Sequence, residues 1–133
     1  MKMKGKKEFE LKGTVKIATY PFRDFYSFDA RIMFYNELGE QFVLCVDLNQ
    51  NCCEDFNFKC DEYKEDELVS TNGIKIILAE DKEFKCYRGG AIDIDIIGSE
   101  KSYKWRVSND HNGYYAHSVE MMHDGEYVWE EWL

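Results

Sequence analysis

Long apolar runs, proline, strong helix formers and basic charge are what this chain has least of. No apolar stretch comes near the roughly eighteen residues that a membrane-spanning helix needs, so a membrane-embedded helix is not expected. One Pro and nine Gly in 133 residues exclude collagen-like and proline-rich low-complexity chains. Lys and Arg total 17 against 26 Asp and Glu, a net charge of -9. Residues 1–20 hold six Lys and two Glu, which leaves -13 on the remainder. Neutralising nucleic-acid phosphates takes clustered Lys and Arg, so direct nucleic-acid binding is not expected. The sequence also lacks a nucleophile elbow, a phosphate-binding loop, an HExxH helix and a dinucleotide fingerprint. No enzyme is expected from these absences, and no cofactor.

Aromatic and β-branched residues are plentiful instead. Phe, Tyr and Trp make up 16% of the chain, and such side chains suit pleated, half-buried surfaces. The length fits one domain spanning residues 1–133, with a basic tail over residues 1–7. No apolar segment follows that tail, so it does not read as a secretory signal. A cytoplasmic location with reduced thiols is therefore expected for the five cysteines.

Alternation predicts a mostly β fold built from hairpins, as an antiparallel sheet, a partly open barrel or a sandwich. Phe9 to Tyr20 reads as one long strand bulged at Gly13. Ala30 to Leu48 reads as a hairpin around Glu37-Leu38-Gly39, setting Phe34 against Phe42 and Ile32 against Leu44. Asp61 to Val69 is the one plausible helix, a short one. Arg88-Gly89-Gly90 reads as a break. Ala91 to Asn109 follows as a hairpin in which Ile92, Ile94 and Ile96 oppose Val107, Trp105 and Tyr103. On its other face Asp93 meets Arg106 and Asp95 meets Lys104. Asn109 to Gly113 is predicted as a turn, and Asp124-Gly125 as a type I′ hairpin. In the simplest register of that last hairpin Trp129 falls on the polar side with Glu120, either as an exposed anchor or under a second layer packed on that face.

The chemically loud stretch is Leu48 to Phe56, with Cys52 and Cys53 adjacent and Glu54, Asp55, Asp61 and Glu62 just downstream. Structural zinc usually takes Cys pairs two to four residues apart, and adjacent cysteines on an extended chain point in different directions. No metal ligands are therefore assigned. His111, His117 and His123 are spaced by six. On a strand, neighbours in that series lie about 20 Å apart, so they read as turn and surface residues.

Two stretches carry a resemblance. Asn49-Gln50-Asn51-Cys52-Cys53-Glu54 after a strand, and Asn112-Gly113-Tyr114-Tyr115 before a later one, resemble a family of small phage and bacterial proteins with no assigned activity. Its members carry Q-D-C-C-E-type and S-N-G-Y-Y-type stretches around an acidic segment like Asp66-Glu67-Leu68-Val69. This chain has Asn51 where that family tends to Asp, and His111 where it tends to a small residue. The resemblance implies a phage or mobile-element setting, a bacterial host and a small β-rich fold, and it supplies no reaction.

The function expected is a non-catalytic acidic binding protein that occupies a host protein with a basic surface, such as a component of a defence system. Its candidate binding residues are Cys52, Cys53, Glu54, Asp55, Asp61, Glu62, Asn112, Tyr114, Tyr115 and Trp129. The alternative is a small-molecule or metal-binding domain centred on Cys52, Cys53 and the Asn112–Tyr115 turn. The sequence does not fix an oligomeric state.

Overall fold

The computed structural model describes residues 5–21, 29–49, 54–113 and 116–133. Eleven strands run through them: β1 (Lys6–Leu11), β2 (Val15–Thr19), β3 (Asp29–Asn36), β4 (Gln41–Asp47), β5 (Glu54–Lys59) and β6 (Glu67–Ser70). They continue as β7 (Ile74–Glu80), β8 (Arg88–Ile97), β9 (Ser102–His111), β10 (Ser118–His123) and β11 (Glu126–Trp132). Two open antiparallel sheets result, ordered β1-β7-β8-β9-β5 and β11-β10-β4-β3-β2-β6. The first is called sheet A and the second sheet B. They pack over one core as a sandwich, not closed into a barrel.

Alternation decides which residues fill that core. Ile92, Ile94 and Ile96 of β8, with Tyr103, Trp105 and Val107 of β9, turn inward from sheet A; Ile17, Ile32, Phe34, Leu44, Val46 and Met121 come from sheet B. Each fully buried aliphatic side chain of this size contributes roughly 1.5–3 kcal/mol relative to exposure. Trp105 crosses the interlayer space: its ring lies 6.0 Å from Phe34 of sheet B, 5.3 Å from Tyr103 and 6.4 Å from both Phe58 and Tyr63.

Both long predicted hairpins form in the predicted register. Phe34 pairs with Phe42, Ile32 with Leu44 and Ala30 with Val46, around Gly39 at φ 80°. Ile92, Ile94 and Ile96 pair with Val107, Trp105 and Tyr103, and Arg106 meets Asp93 at 2.7 Å. Arg106 reaches a second carboxylate, Asp81, at 2.5 Å.

Elsewhere the chain departs from the simple reading. The expected long first strand is two strands in different sheets. The chain crosses at Gly13 (φ 82°), whose carbonyl accepts a 2.7 Å hydrogen bond from Gly73 N–H. β1 begins at Lys6, opposite Ala79, so the pairing takes in the last two residues of the expected tail.

No helix forms over 61–69, nor anywhere else among the described residues. Asp66 adopts φ 60°, which ends any helical turn there, and β6 pairs with β2 instead. The acidic side chains find tertiary partners in place of a helix N-terminus: Glu65 accepts from Thr19 N–H at 2.9 Å, Asp66 from the Tyr35 hydroxyl, and Glu67 from Lys101 at 2.9 Å.

Arg88-Gly89-Gly90 belongs to β8, and Asn109 to His111 belong to β9. Gly89 makes that pairing feasible, because a Cβ there would lie 2.2 Å from the Asn109 carbonyl oxygen.

Candidate functional site

The segments on either side of the two singled-out motifs meet. Glu54 opens β5, which pairs with the far end of β9 so that Glu54 stands opposite His111. His117 precedes β10 in sheet B and is fixed by two backbone hydrogen bonds with Leu133, of 2.7 and 2.8 Å. Its side chain is 1% exposed, and that of Glu54 is 0% exposed. The imidazole Nε2 lies 2.9 Å from both Glu54 carboxylate oxygens, and Nδ1 lies 2.7 Å from the Asp47 carbonyl oxygen. A carbonyl oxygen only accepts, so Nδ1 carries a proton, and one further proton lies between Nε2 and the carboxylate. Phe56 stacks on the ring at 3.9 Å and 9°.

His117 is thus a buried tie between the end of sheet A and the end of β4. His111 is also buried, its Nδ1 accepting from Gly113 N–H at 2.9 Å. Neither is the surface residue that a reading by spacing makes of it. With both ring nitrogens of His117 committed to protein partners, the corner is built as a scaffold.

Burial pushes Cys45 and Cys60 up to about 11; at Cys45 Arg31 opposes the shift while Glu120 and Asp29 add to it, and at Cys60 Asp61 adds to it. Cys86 is raised as well, by burial first and by Asp110 second. A thiol held protonated at neutral pH is a poor attacking group. A cleft of about 540 Å³ lined by Glu10, Lys12, Gly73, Lys75, Ile97 and Ser99 among others has Glu10 as its one acidic side chain, and no His or Cys.

The outer face of sheet B at β10 and β11 has a different character. After Arg106 the chain holds six acidic residues and neither Lys nor Arg. β11 lies at the sheet edge, and Tyr127, Val128 and Trp132 on it are 60%, 45% and 52% exposed. The register of the β10–β11 hairpin shifts between Met121 and Met122, so Met122 pairs with Tyr127 whereas Met121 pairs with Trp129. The bulge exchanges the faces predicted for the end of the hairpin. Trp129 turns inward and packs partly buried against the core, while Trp132 turns outward, opposite Ser118.

Beside these aromatics Glu120 stands directly opposite Glu130, and Trp132 Nε1 donates to Glu130 at 2.5 Å. Burial holds the Glu120 carboxyl above its ordinary value of 4.5, with Glu130 and Asp29 adding to the shift and Arg31 opposing it. A carboxyl raised in the fold takes up protons more readily there than in the unfolded chain, so its ionisation at neutral pH destabilises the fold. Glu120→Gln is therefore expected to raise the melting temperature at neutral pH. The gain should shrink as pH falls through the folded-state value of Glu120. Melting curves across an acid series check this; a gain that does not change with pH would contradict it.

Of the ten candidate binding residues, Cys52, Cys53, Tyr114 and Tyr115 lie outside the described residues. Glu54 is the buried partner of His117. Asp55 is exposed on edge strand β5, and Asp61, Glu62 and Asn112 are exposed beyond strand ends. Trp129 is core-facing. Sequence reasoning counted Tyr127 and Trp132 among the aromatic binding material without choosing them as site residues, and it missed the buried role of His117. For Trp132 the available signal was the Glu-rich strand Glu126–Trp132, with four large apolar or aromatic residues and three Glu. No helix among the described residues is long and apolar enough to cross a membrane. Neither a family model, nor a curated protein, nor a solved structure matches the chain.

Proposed function

We propose that this is a non-catalytic binding protein whose β10–β11 face takes a protein partner with a basic surface. The observation that carries the reading is the exposure of Tyr127 and Trp132 on an edge strand beside Glu120 and Glu130, with Val128 exposed at the bulge. Aromatic side chains exposed in a ring of charge are typical interface anchors, because they bury large area at small entropic cost. The Glu120–Glu130 pair supplies a reason for the sign of the partner. Two carboxylates opposed across a ladder repel, and a Lys or Arg placed over them would relieve that repulsion as it binds. The resemblance to small phage proteins supports a host protein as the partner class.

The test is capture of a partner with the wild-type chain and with Glu120→Lys/Glu130→Lys, followed by titration calorimetry with the purified partner at low and high salt. Charge reversal and added salt are expected to weaken binding, and Trp132→Ala to cost about 2 kcal/mol or more. A partner bound equally well by all three forms, or without salt dependence, would sink the reading.

A second reading, a ligand or metal site at Cys52 and Cys53, draws on the meeting of His111 and His117 at Glu54, the residue that follows Cys53 in sequence. Stoichiometric metal in the purified protein, lost on Cys52→Ser, would move the weight to it.

A further inference from the structure

A second cluster of potential ligands lies where two hairpin ends meet. Glu40 closes the β3–β4 turn, while His123 and Asp124 close the β10–β11 turn. Pairing of β4 with β10 brings them together: His123 stands opposite Phe42, Asp124 N–H donates to the Gln41 carbonyl at 3.1 Å, and Gln41 N–H donates to Asp124 Oδ1 at 2.8 Å. One ligand atom from each of Glu40, His123 and Asp124 falls within 4.8 Å of the other two. Asp124 Oδ2 is 3.3 Å from His123 Nε2, a separation that also suits two adjacent ligands of a metal with bonds of about 2.0–2.2 Å.

The arrangement is prepared in ways that surface acids usually are not. The His123 ring is held by stacking on Phe42 at 4.4 Å and 10°. Asp124 sits at φ 49°, and its Oδ1 is engaged by backbone, which aims the other oxygen at the imidazole. Among the described residues the Glu40 carboxylate has no hydrogen-bond or ion-pair partner, although it lies beside two other ligands. One imidazole nitrogen with two carboxylates suits a borderline divalent ion, with room left for water or a further ligand.

We propose that Glu40, His123 and Asp124 form a binding site for a divalent transition-metal ion, which would tie the two hairpin ends together. Cys52, Cys53, Trp132 and Glu130 take no part in the proposed site. A suitable probe is Co²⁺, titrated into reduced, metal-free protein and followed by calorimetry, by paramagnetic shifts of the His123 ring signals and by absorption.

One Co²⁺ per chain is expected, with shifts centred on His123, no thiolate charge-transfer band, and a melting temperature that rises with Co²⁺ because the ion binds the folded form. Asp124→Asn keeps a residue that tolerates the left-handed turn and removes the charged ligand. It should melt normally without metal and bind Co²⁺ at least about tenfold more weakly. Glu40→Gln should act in the same direction, and Cys52→Ser/Cys53→Ser should leave binding unchanged. The proposal is overturned by equal affinity in Asp124→Asn and Glu40→Gln, by a thiolate band that disappears with the Cys52→Ser/Cys53→Ser variant, or by no saturable binding at all.

Discussion

Glu54→Ala is expected to lower the unfolding free energy by about 3–5 kcal/mol, because it strips the carboxylate from a histidine that has no water to turn to. The His117 ring is 1% exposed, and Glu54 covers its Nε2 with both oxygens at 2.9 Å. Its other nitrogen is held by the Asp47 carbonyl, so the ring cannot swing out to find solvent without breaking that bond as well. His117→Ala should cost a similar amount, since it takes from a buried carboxylate the imidazole that both its oxygens face. The double variant should cost clearly less than the sum of the two, since each single change removes the same interaction. Glu54→Gln preserves shape and one hydrogen bond, and should cost nearer 1 kcal/mol. Urea unfolding of the four variants checks the set. A Glu54→Ala cost below about 1 kcal/mol, or strict additivity, would show that the pair does not tie the sheets.

Trp105→Ala is expected to cost about 3–5 kcal/mol, the range for deleting a fully buried indole. Trp105 is 1% exposed and touches Phe34 across the interlayer space, with Phe58, Tyr63 and Tyr103 around it. A void there has aromatic walls on several sides, and rings fixed in two sheets collapse into it poorly. Trp105→Phe should be far milder. It removes a ring, but it also removes an indole N–H that is buried with no hydrogen-bond partner among the described residues. Equal costs for Ala and Phe would contradict the packing account.

The parts of the fold legible beforehand were those specified locally on both faces. Ile92 to Tyr103 and Phe34 to Phe42 need only a turn of known length and an alternation that agrees on each side. The parts that were not legible depend on a single residue with two meanings. A glycine at φ 82° serves a bulge and a crossing between sheets equally well, and Gly13 makes the crossing. The bulge in β11 inserts one residue into a strand whose apolar residues sit on both faces. Counting by twos from the turn then assigned Trp129 and Trp132 to each other's sides.

The acidic run at 61–69 resembled a helix start because carboxylates sit favourably at the positive end of a helix. Thr19, Tyr35 and Lys101 supply partners for them from distant parts of the chain. The site suffers the same limit more severely. His117 and Glu54 are 63 positions apart, and nothing local to either announces the other. Only the shared prominence of the two motifs beside them hinted that they meet.

The central claim, that the β10–β11 face binds a basic protein partner, is tested most directly by placing a photo-crosslinking amino acid at Tyr127 and, separately, at Lys75 on β7. The account predicts a cross-link to the partner from position 127, mapping to a Lys- or Arg-rich surface and suppressed by Glu120→Lys/Glu130→Lys. Position 75 should give none. Cross-linking from position 75 alone, or to an acidic or wholly apolar surface from 127, would contradict it.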